Sequence, residues 1–375
     1  MTSKSVKFSA VGDLTFGDHP MCVGFGAFSR FHREEPLFPF RKVLPVLRRA
    51  ELLFGNLECT HSAHSRRDRD YHSVQMRGEA RLVDALPGAG FKVVNVANNH
   101  SLQHGNDSFL DTVSMIQRAG LGCCGLAADA LATRAIPHVT TVNGLEVGFL
   151  GYSLRPRQYF EHIPLYAEGH GDEMVRDVEA LARQVDAVVV SVHWGEEFIQ
   201  EPAPSEIALA RRLVDAGAML VIGHHPHVLR GIEHHGRGCI AYSLGNFVCD
   251  MVWDDTLRAS AVLECELTPE GVRNVALIPV CINDDFQPEP LTGPAAERAL
   301  ASLAELSSAI AQAPATDDAG VKADYARRAD AVHRQIRAKS HRFFLTQLWR
   351  YPKVMLLQQL ATYARNRVHE RLASR

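Results

Sequence analysis

The chain has 375 residues, of which 46% are hydrophobic and 22% are charged. This composition is ordinary for a globular protein, and the length is sufficient to bury a substantial core. The net charge of −3 is unevenly distributed, with +10 on residues 321–375 and −13 on residues 1–320. This asymmetry predicts that the basic tail contacts something acidic, first the protein's own body and second an anionic membrane surface or polymer.

The sequence predicts neither a signal peptide nor a membrane-spanning segment. The first strand-like run begins at Val6, and no stretch approaches the roughly 18–20 apolar residues of a spanning helix. The eight cysteines include no CxxC pair, which favours reduced thiols over a disulfide framework. We therefore expect a cytoplasmic protein, and no pattern predicts a nucleic-acid partner.

Strand-like and helical patterns alternate along most of the chain, and several strand-like runs are short and rich in Val and Ile, as in strands buried on both faces. The predicted strands are Val6–Val11, Leu52–Phe54, Val93–Val96, Val147–Leu150, Ala187–Val192, Met219–Ile222 and Cys239–Tyr242, followed by a hairpin of Ala261–Leu267 and Val272–Ile278. The predicted helices are Phe40–Arg49, Arg81–Ala89, Ser108–Ala119, Met174–Gln184, Ser205–Ala216, Ala295–Ile310 and Val321–Leu372.

These patterns divide the chain into an α/β body over residues 5–283, a linker over 284–294 and a basic helical extension over 295–375. The apolar stripe of the extension is broken at Tyr351-Pro352, because proline ends or kinks a helix. A basic amphipathic helix of this kind either docks on the acidic body or lies peripherally on an anionic membrane. We expect docking, since its aromatic and aliphatic residues suffice for ordinary core contact.

Polar side chains follow five of the predicted strands. They are Asp13, Asn56 and Glu58, Asn98 to His100, His193, and His224, His225 and His227. Alternation of strands and helices places such residues at the carboxyl ends of the strands, where open α/β sheets bind ligands. Carboxylate, carboxamide and imidazole groups are the ligands that borderline divalent metals use, so the ordered set predicts a metal site.

Individual residues have distinct roles in this prediction. Glu58 is a natural bridging carboxylate, because two cations about 3.5–4 Å apart need shared anionic charge, and Asn56 is an alternative orienting group for it. Asn99 offers a neutral carbonyl oxygen, and the adjacent His100 can act as an acid toward a leaving group. Asn98 is expected to hold the loop.

The segment Gly223–His227, with the sequence GHHPH, is the strongest single signal, because its proline stiffens a loop that contains three histidines. Asn246 follows another strand and can bind backbone or substrate. Four arginines of loop 61–77 suit phosphate or carboxylate recognition; they are Arg66, Arg67, Arg69 and Arg77. For each of these residues the alternative is a structural role, such as a turn aspartate, a satisfied loop histidine or a solvated arginine.

Six motifs occur between about Val6 and Asp250. They are VGD ending at Asp13, Asn56–Glu58, Ala97–His100 with Gly105, His193–Glu197, Gly223–His227 and Tyr242–Phe247. In content and order they resemble the CapA family of capsule and poly-gamma-glutamate synthesis proteins, which are similar to calcineurin-like metallophosphoesterases. The resemblance implies an α/β fold of metallophosphoesterase type, a two-sheet sandwich flanked by helices, with the helical extension following it.

The resemblance also implies a function, that of a divalent-metal-dependent hydrolase in capsule or poly-gamma-glutamate metabolism. The bond cleaved would be a phosphoester or, alternatively, an amide of an anionic small-molecule or polymer substrate. A second hypothesis is a non-catalytic metal-binding component of a synthesis or export assembly.

The family's pattern assigns roles to the residues of this chain. Two divalent ions (Mn, Zn, Fe or Mg) would be held by Asp13, Glu58, Asn99, His193, His225 and His227. The catalytic acid would be His100. The residues expected to orient these groups or contact the substrate are Asn56, Asn98, His224, Asn246 and Arg77.

Two positions depart from the family's pattern. Metallophosphoesterases carry a histidine where Thr15 stands, so one expected ligand is missing. The family often carries an aspartate where Gln103 stands, so either the pKa of His100 is set differently or His104 substitutes.

Overall fold

The computed structural model of the protein describes residues 4–61, 71–129, 131–156, 165–313 and 318–361. Within these ranges the strands are β1 Val6–Leu14, β2 Leu52–Leu57, β3 Thr60–His61, β4 Arg77–Gly78, β5 Phe91–Asn95, β6 Gly122–Cys124, β7 His138–Val142, β8 Leu145–Ser153, β9 Ala187–His193, β10 Leu220–His224, β11 Ile232–His235, β12 Gly238–Ala241, β13 Asn246–Val248, β14 Ala259–Thr268, β15 Gly271–Ile282 and β16 Pro288–Pro290.

The helices in the same ranges are α1 Ala27–Phe31, α2 Leu44–Leu47, α3 Tyr71–Val74, α4 Ala80–Ala89, α5 Asn106–Arg118, α6 Gly171–Ala182, α7 Pro204–Asp215, α8 Asp255–Arg258, α9 Gly293–Ala311 and α10 Ala319–Gln347. Short 3-10 helices cover Pro20–Cys22, Phe38–Phe40 and Leu348–Arg350.

Two large sheets form the centre of the fold. The first has the order β16-β15-β14-β1-β2-β5-β6, with β13 also paired to β1, and the second has the order β11-β12-β10-β9-β8-β7. The central strands β1, β2 and β5 are parallel to one another, and so are β8, β9 and β10. Parallel neighbours end at the same edge of a sheet, so their carboxyl ends bring several chain segments together.

The two sheets pack face to face through apolar side chains. The ring of Phe54 from β2 stacks on Phe149 from β8 with centroids 5.8 Å apart, and Phe8 from β1 lies 6.4 Å from the same ring. The outer face of the first sheet is covered by α4 and α5, and that of the second by α6 and α7. The predicted two-sheet α/β sandwich flanked by helices is confirmed.

The structure corrects several element boundaries. β1 and β9 extend past their predicted ends. Asp13 and His193 therefore lie in the last two residues of these strands and not in loops. The predicted helix Phe40–Arg49 is wrong, since only a 3-10 turn at Phe38–Phe40 and the four residues of α2 are helical. A proline lies at the start of each short element, where its missing N–H is tolerated, and this interrupts a longer helix.

The segment predicted as a linker is packed on the first sheet. Residues 288–290 form β16 on the edge of β15, and Phe286 is buried in the core beneath it. The Nε2 group of Gln287 also donates to the carbonyl of Phe38. The division into a body, a linker and an extension stays a prediction.

The C-terminal extension docks on the body. Nε2 of His333 in α10 donates to the carbonyl of Glu197 (2.8 Å), and Lys339 pairs with Asp254. After the predicted break at Tyr351-Pro352, residues 353–361 are helical again, and the Tyr351 ring packs edge-on against Phe25 at 4.9 Å. The expected contact between the basic tail and the protein's own body is therefore present.

None of the helices in the described ranges is both long enough and apolar enough to cross a bilayer.

Replacement of Ile336 by alanine tests the docking of α10. Ile336 is 7% exposed and packs with Val228 and Met251, so its truncation leaves a cavity. We expect the free energy of unfolding to fall by about 2–5 kcal/mol, measured by urea denaturation. The control Leu345→Ala, on the same helix but 64% exposed, should change it by less than about 0.5 kcal/mol. Equal effects of the two substitutions would contradict the docking.

Candidate metal centre

Strand ends from both sheets place a row of polar residues at one edge of the sandwich. In the first sheet Asp13 is in register with Asn56 on one side and with Asn246 on the other. In the second sheet His193 is in register with His224. Because the register fixes neighbouring residues side by side, these groups meet without any long loop having to bring them together.

Gly12 permits a close approach of backbone segments beside the site. It lies within β1, and a Cβ atom there would stand 1.9 Å from the carbonyl oxygen of Gly245. The backbone N–H of Asp13 donates to that same oxygen (3.0 Å). The glycine of the VGD motif is thus required by the close contact between β1 and the backbone at Gly245.

Asp13 is completely buried and held by hydrogen bonds. Its Oδ1 accepts from Nδ2 of Asn56 (2.8 Å) and contacts Nδ1 of His224 (3.1 Å), while its Oδ2 accepts from the backbone of His225 (3.2 Å). Burial acts to raise the pKa of Asp13, but the hydrogen bond and charge of His224, with further help from His227, outweigh burial and lower it. The carboxylate is therefore ionised and fixed in orientation.

Glu58 lies at the centre of the arrangement. Its Oε1 is 3.5 Å from Nε2 of His193 and 3.7 Å from Nε2 of His227, and its side chain has no solvent exposure. Burial, followed by the neighbouring charge of Asp13, raises the pKa of Glu58. A bound cation would stabilise the ionised form of this buried carboxylate.

Three groups of potential cation ligands converge here, each with donor atoms within 4.8 Å of one another. They are Glu58 with His193 and His225, Asp13 with Glu58 and His227, and Glu197 with His225 and His227. Glu58 belongs to two of the groups, as a carboxylate shared between two cations would. Glu197, the last residue of the His193–Glu197 motif, belongs to the third group and is therefore a further candidate ligand.

Several donor atoms at this centre are buried without a hydrogen-bond partner among the described residues. They are Oε1 of Glu58, Nε2 of His224 and both ring nitrogens of His225. A buried polar atom without a partner is costly, and cations held by the three groups would satisfy Oε1 of Glu58 and one ring nitrogen of His225. The residues present therefore fit a metal site made of imidazole and carboxylate donors.

Other residues fix the orientation of the donors. Nδ1 of His227 is 2.9 Å from Oδ1 of Asn246, which places the proton on Nδ1 and leaves Nε2 free to bind a cation. Asn56 donates to Asp13 and its Oδ1 accepts from Nδ2 of Asn95 (2.9 Å). Asn56 thus orients Asp13 and not Glu58. Asn95, which the sequence analysis did not single out, extends the chain of hydrogen bonds.

The GHHPH segment carries unusual backbone conformations. His225 has φ 92° and His227 has φ 60°, in the left-handed region that non-glycine residues rarely adopt. Their ring centroids are 5.7 Å apart, and the His225 ring lies 4.7 Å from that of His193. Such backbone strain persists only where the surroundings over-determine it, as at ligand-binding sites.

The loop after β5 positions an amide and an imidazole. Oδ1 of Asn99 lies 2.8 Å from Nε2 of His193, a spacing suited to two ligands of one ion. Asn98 holds the loop as expected, since its side chain donates to the carbonyl of Leu57 (2.9 Å) and accepts from the backbone of His100 (3.0 Å).

His100 is oriented by Gln103 and not by His104. Its Nδ1 donates to Oε1 of Gln103 (2.8 Å), whereas Nε2 of His104 contacts the carbonyl of Gln75 (2.9 Å). Burial lowers the pKa of His100, and the hydrogen bond to Gln103 partly offsets the effect. Gln103 therefore takes the place of the aspartate that the family often carries.

Thr15 and Arg77 complete the set of residues singled out from the sequence. The Thr15 hydroxyl lies 3.5 Å from Oε2 of Glu58, so it contacts a candidate ligand without replacing the missing imidazole. Arg77 is buried with its guanidinium 5.9 Å from the Phe28 ring, and it does not line the cavity beside His100. The other arginines of that loop, Arg66, Arg67 and Arg69, lie outside the described residues.

Comparison with known proteins identifies the family. The family model for the bacterial capsule synthesis protein PGA_cap matches residues 7–251. The chain belongs to this family. The capsule biosynthesis protein CapA of Bacillus anthracis is 30% identical over 305 residues, covering 77% of this chain and 70% of that protein. The PGA biosynthesis protein CapA of Bacillus subtilis (strain 168) is 29% identical over 248 residues, covering 65% of each chain.

Among solved structures, a putative 5'-nucleotidase from Staphylococcus aureus in complex with alpha-ketoglutarate gives a TM-score of 0.46 at 14% identity. The match covers 80% of this chain and 58% of that one. A likeness of this size carries no conclusion about activity. The PGA_cap match spans β1 to β13 and includes every candidate ligand, whereas α10 lies beyond it.

The arrangement predicts that purified protein retains about two divalent ions per chain after dialysis against Mn²⁺ or Zn²⁺. Glu58→Ala and His225→Ala should each lower the metal content, since both remove donor atoms from two of the three groups. Elemental analysis by mass spectrometry measures the content. The control His235→Ala removes a surface imidazole paired with Asp215 and should change nothing. Wild-type protein without stoichiometric metal would contradict the site, and one ion per chain would point to the missing ligand at Thr15.

Proposed function

We propose that this member of the PGA_cap family is a divalent-metal-dependent hydrolase of metallophosphoesterase type. Its substrate would be an anionic phosphoester, and an amide is the second candidate bond. The setting would be capsule or poly-gamma-glutamate metabolism, as the names of its relatives indicate for those proteins.

The observation that supports this proposal most strongly is the position of Glu58. It is fully buried, it is shared by two groups of cation ligands, and one of its oxygens has no hydrogen-bond partner among the described residues. A carboxylate shared in this way is what two closely spaced cations require. When bound, such cations polarise the scissile group and activate water.

The candidate ligands are Asp13, Glu58, Asn99, His193, His225 and His227, with Glu197 added by the structure. Other residues hold these candidate ligands in position. The hydrogen bond from Asn56 holds Asp13, and that from His227 to Asn246 holds the ring with Nε2 turned toward Glu58. These contacts keep the donors in place before the substrate arrives, so little reorganisation is required.

His100 is the proposed proton donor to the leaving group. It lines a cavity of about 100 Å³ together with His227 and Thr15, so it faces the same space as the candidate ligands. Because Gln103 accepts from Nδ1, the imidazolium form of His100 would give its Nε2 proton to the leaving group and become the neutral ring that keeps its proton on Nδ1.

A phosphatase assay tests the proposal. Metal-loaded protein should hydrolyse 4-nitrophenyl phosphate or bis(4-nitrophenyl) phosphate, and His100→Ala should lower kcat by about 10²–10⁴-fold. Metal content should stay at the wild-type level. The neighbouring His104→Ala, whose ring contacts the Gln75 carbonyl, serves as the control and should leave turnover unchanged.

Two results would count against the proposal. Undiminished turnover by the His100 variant would remove its role as the proton donor. Metal-loaded wild type without turnover on phosphoesters and on gamma-glutamyl amides would favour the alternative, a metal-binding component of a synthesis or export assembly.

A further inference from the structure

The cavity beside the candidate ligands is small, with a volume of about 100 Å³. A second cavity of about 370 Å³ adjoins it, and the two share His19, Glu197 and Phe198 as lining residues. The part of a substrate that does not react can therefore extend into this second space, which we call the outer cavity.

The outer wall of this cavity is formed by the C-terminal helix. The cavity is lined by His333, Ile336, Arg337 and Ser340 of α10, together with Trp253. The hydrogen bond from His333 to the Glu197 carbonyl and the burial of Ile336 fix the helix in this position. Trp253 and α10 both lie beyond the residues matched by the family, so this wall belongs to the part of the chain outside that match.

Arg337 is a solvent-exposed arginine that lines this wall. Within the described ranges its guanidinium forms no hydrogen bond or ion pair, whereas Lys339, two residues on, is paired with Asp254. Glu197 is the carboxylate among the lining residues, and it belongs to a donor group with His225 and His227, where a bound cation would offset its charge.

His19 and Trp253, which line the outer cavity together with Arg337, each carry a ring N–H group. Nδ1 of His19 accepts from the backbone of Met21 (3.1 Å), so the neutral ring carries its proton on Nε2. The indole N–H of Trp253 is buried with no partner in the described part of the chain, and its ring lies 5.0 Å from that of His19. A buried donor of this kind normally has an acceptor.

Two buried aspartates, Asp18 and Asp250, hold the loop that carries His19. The backbone N–H of His19 donates to Oδ2 of Asp250 (2.9 Å), and that same oxygen accepts from the backbone of Ala27 (3.2 Å). Asp18 accepts from the backbones of Gly24 (2.8 Å) and Ser29 (3.0 Å). The loop that carries His19 is therefore held from both sides by buried carboxylates.

We infer that the outer cavity binds a second acidic group of the substrate, a carboxylate or a phosphate, through Arg337, Trp253 and His19. This inference rests on the proposed function, because it takes the cavity beside the candidate ligands as the place of reaction. It defines the substrate class as a molecule with one acidic group at the metal centre and another a short chain length away. Arg337 supplies the charge, and the two N–H groups supply direction.

Calorimetric binding of phosphonates, whose C–P bond resists hydrolysis, tests the inference without turnover. For Mn²⁺-loaded wild type we expect 4-phosphonobutyrate to bind about 10- to 100-fold more tightly than butylphosphonate, the range for a charge-assisted hydrogen bond. Propane-1,3-diyldiphosphonate, measured beside them, shows whether carboxylate or phosphate is preferred. Arg337→Ala should abolish the preference, and Trp253→Phe should reduce it by about 2- to 10-fold.

Arg334→Ala provides the matched control, since it removes an exposed arginine of the same helix that does not line the outer cavity. It should keep the full preference. Equal binding of all probes by wild type, absence of binding, or a preference that survives Arg337→Ala would overturn the inference. Hydrolysis of simple phosphoesters together with any of these results would leave the proposed function standing, whereas an Arg337-dependent preference without hydrolysis would remove the proposed function alone.

Discussion

A fully buried carboxylate governs the structure of this edge of the fold. Glu58 has no solvent exposure, and its Oε1 lies within 3.7 Å of two imidazole nitrogens but has no hydrogen-bond partner in the described ranges. Removal of a carboxylate from water is costly unless positive charge or hydrogen bonds replace the water. The strand-end residues around Glu58 supply the donor atoms for a cation. The two sheets that carry these residues exclude solvent from Glu58.

The same constraint explains why strain is concentrated in the GHHPH segment. Both ring nitrogens of His225 are buried without partners among the described residues, and its backbone has φ 92°. The backbone N–H of His225 is anchored to Asp13, whose other oxygen is held by Asn56 and His224. The strand pairing of β10 with β9 fixes the start of this segment, so the unfavourable conformation is imposed from both the backbone and the carboxylate.

The alternation of continuous apolar runs with helical patterns predicted an α/β body, because the central strands are buried on both faces, and the resemblance to the CapA family implied the two-sheet sandwich. The alternation also placed Asp13, Glu58 and the histidines at one edge, since parallel strands share an edge. Sequence reasoning missed Asn95 and His19 and did not identify Glu197 as a candidate ligand, because their contacts come from other segments of the chain. The helix expected at Phe40–Arg49 failed because prolines set local breaks that periodicity does not register.

The basic helix α10 contacts acidic residues in the body of the same chain. The basic α10 reaches the acidic body through pairs such as Arg328 with Glu201 and Lys339 with Asp254, while Ile336 provides the apolar contact. Exposed pairs contribute little to stability, so the buried apolar face holds the helix and the charges set its orientation. Once the helix is so oriented, Arg337 faces the outer cavity without a partner in the described chain. Helix α10, which lies beyond the family match, thus forms one wall of the outer cavity. Residues within the match, such as His19 and Glu197, line another part of it.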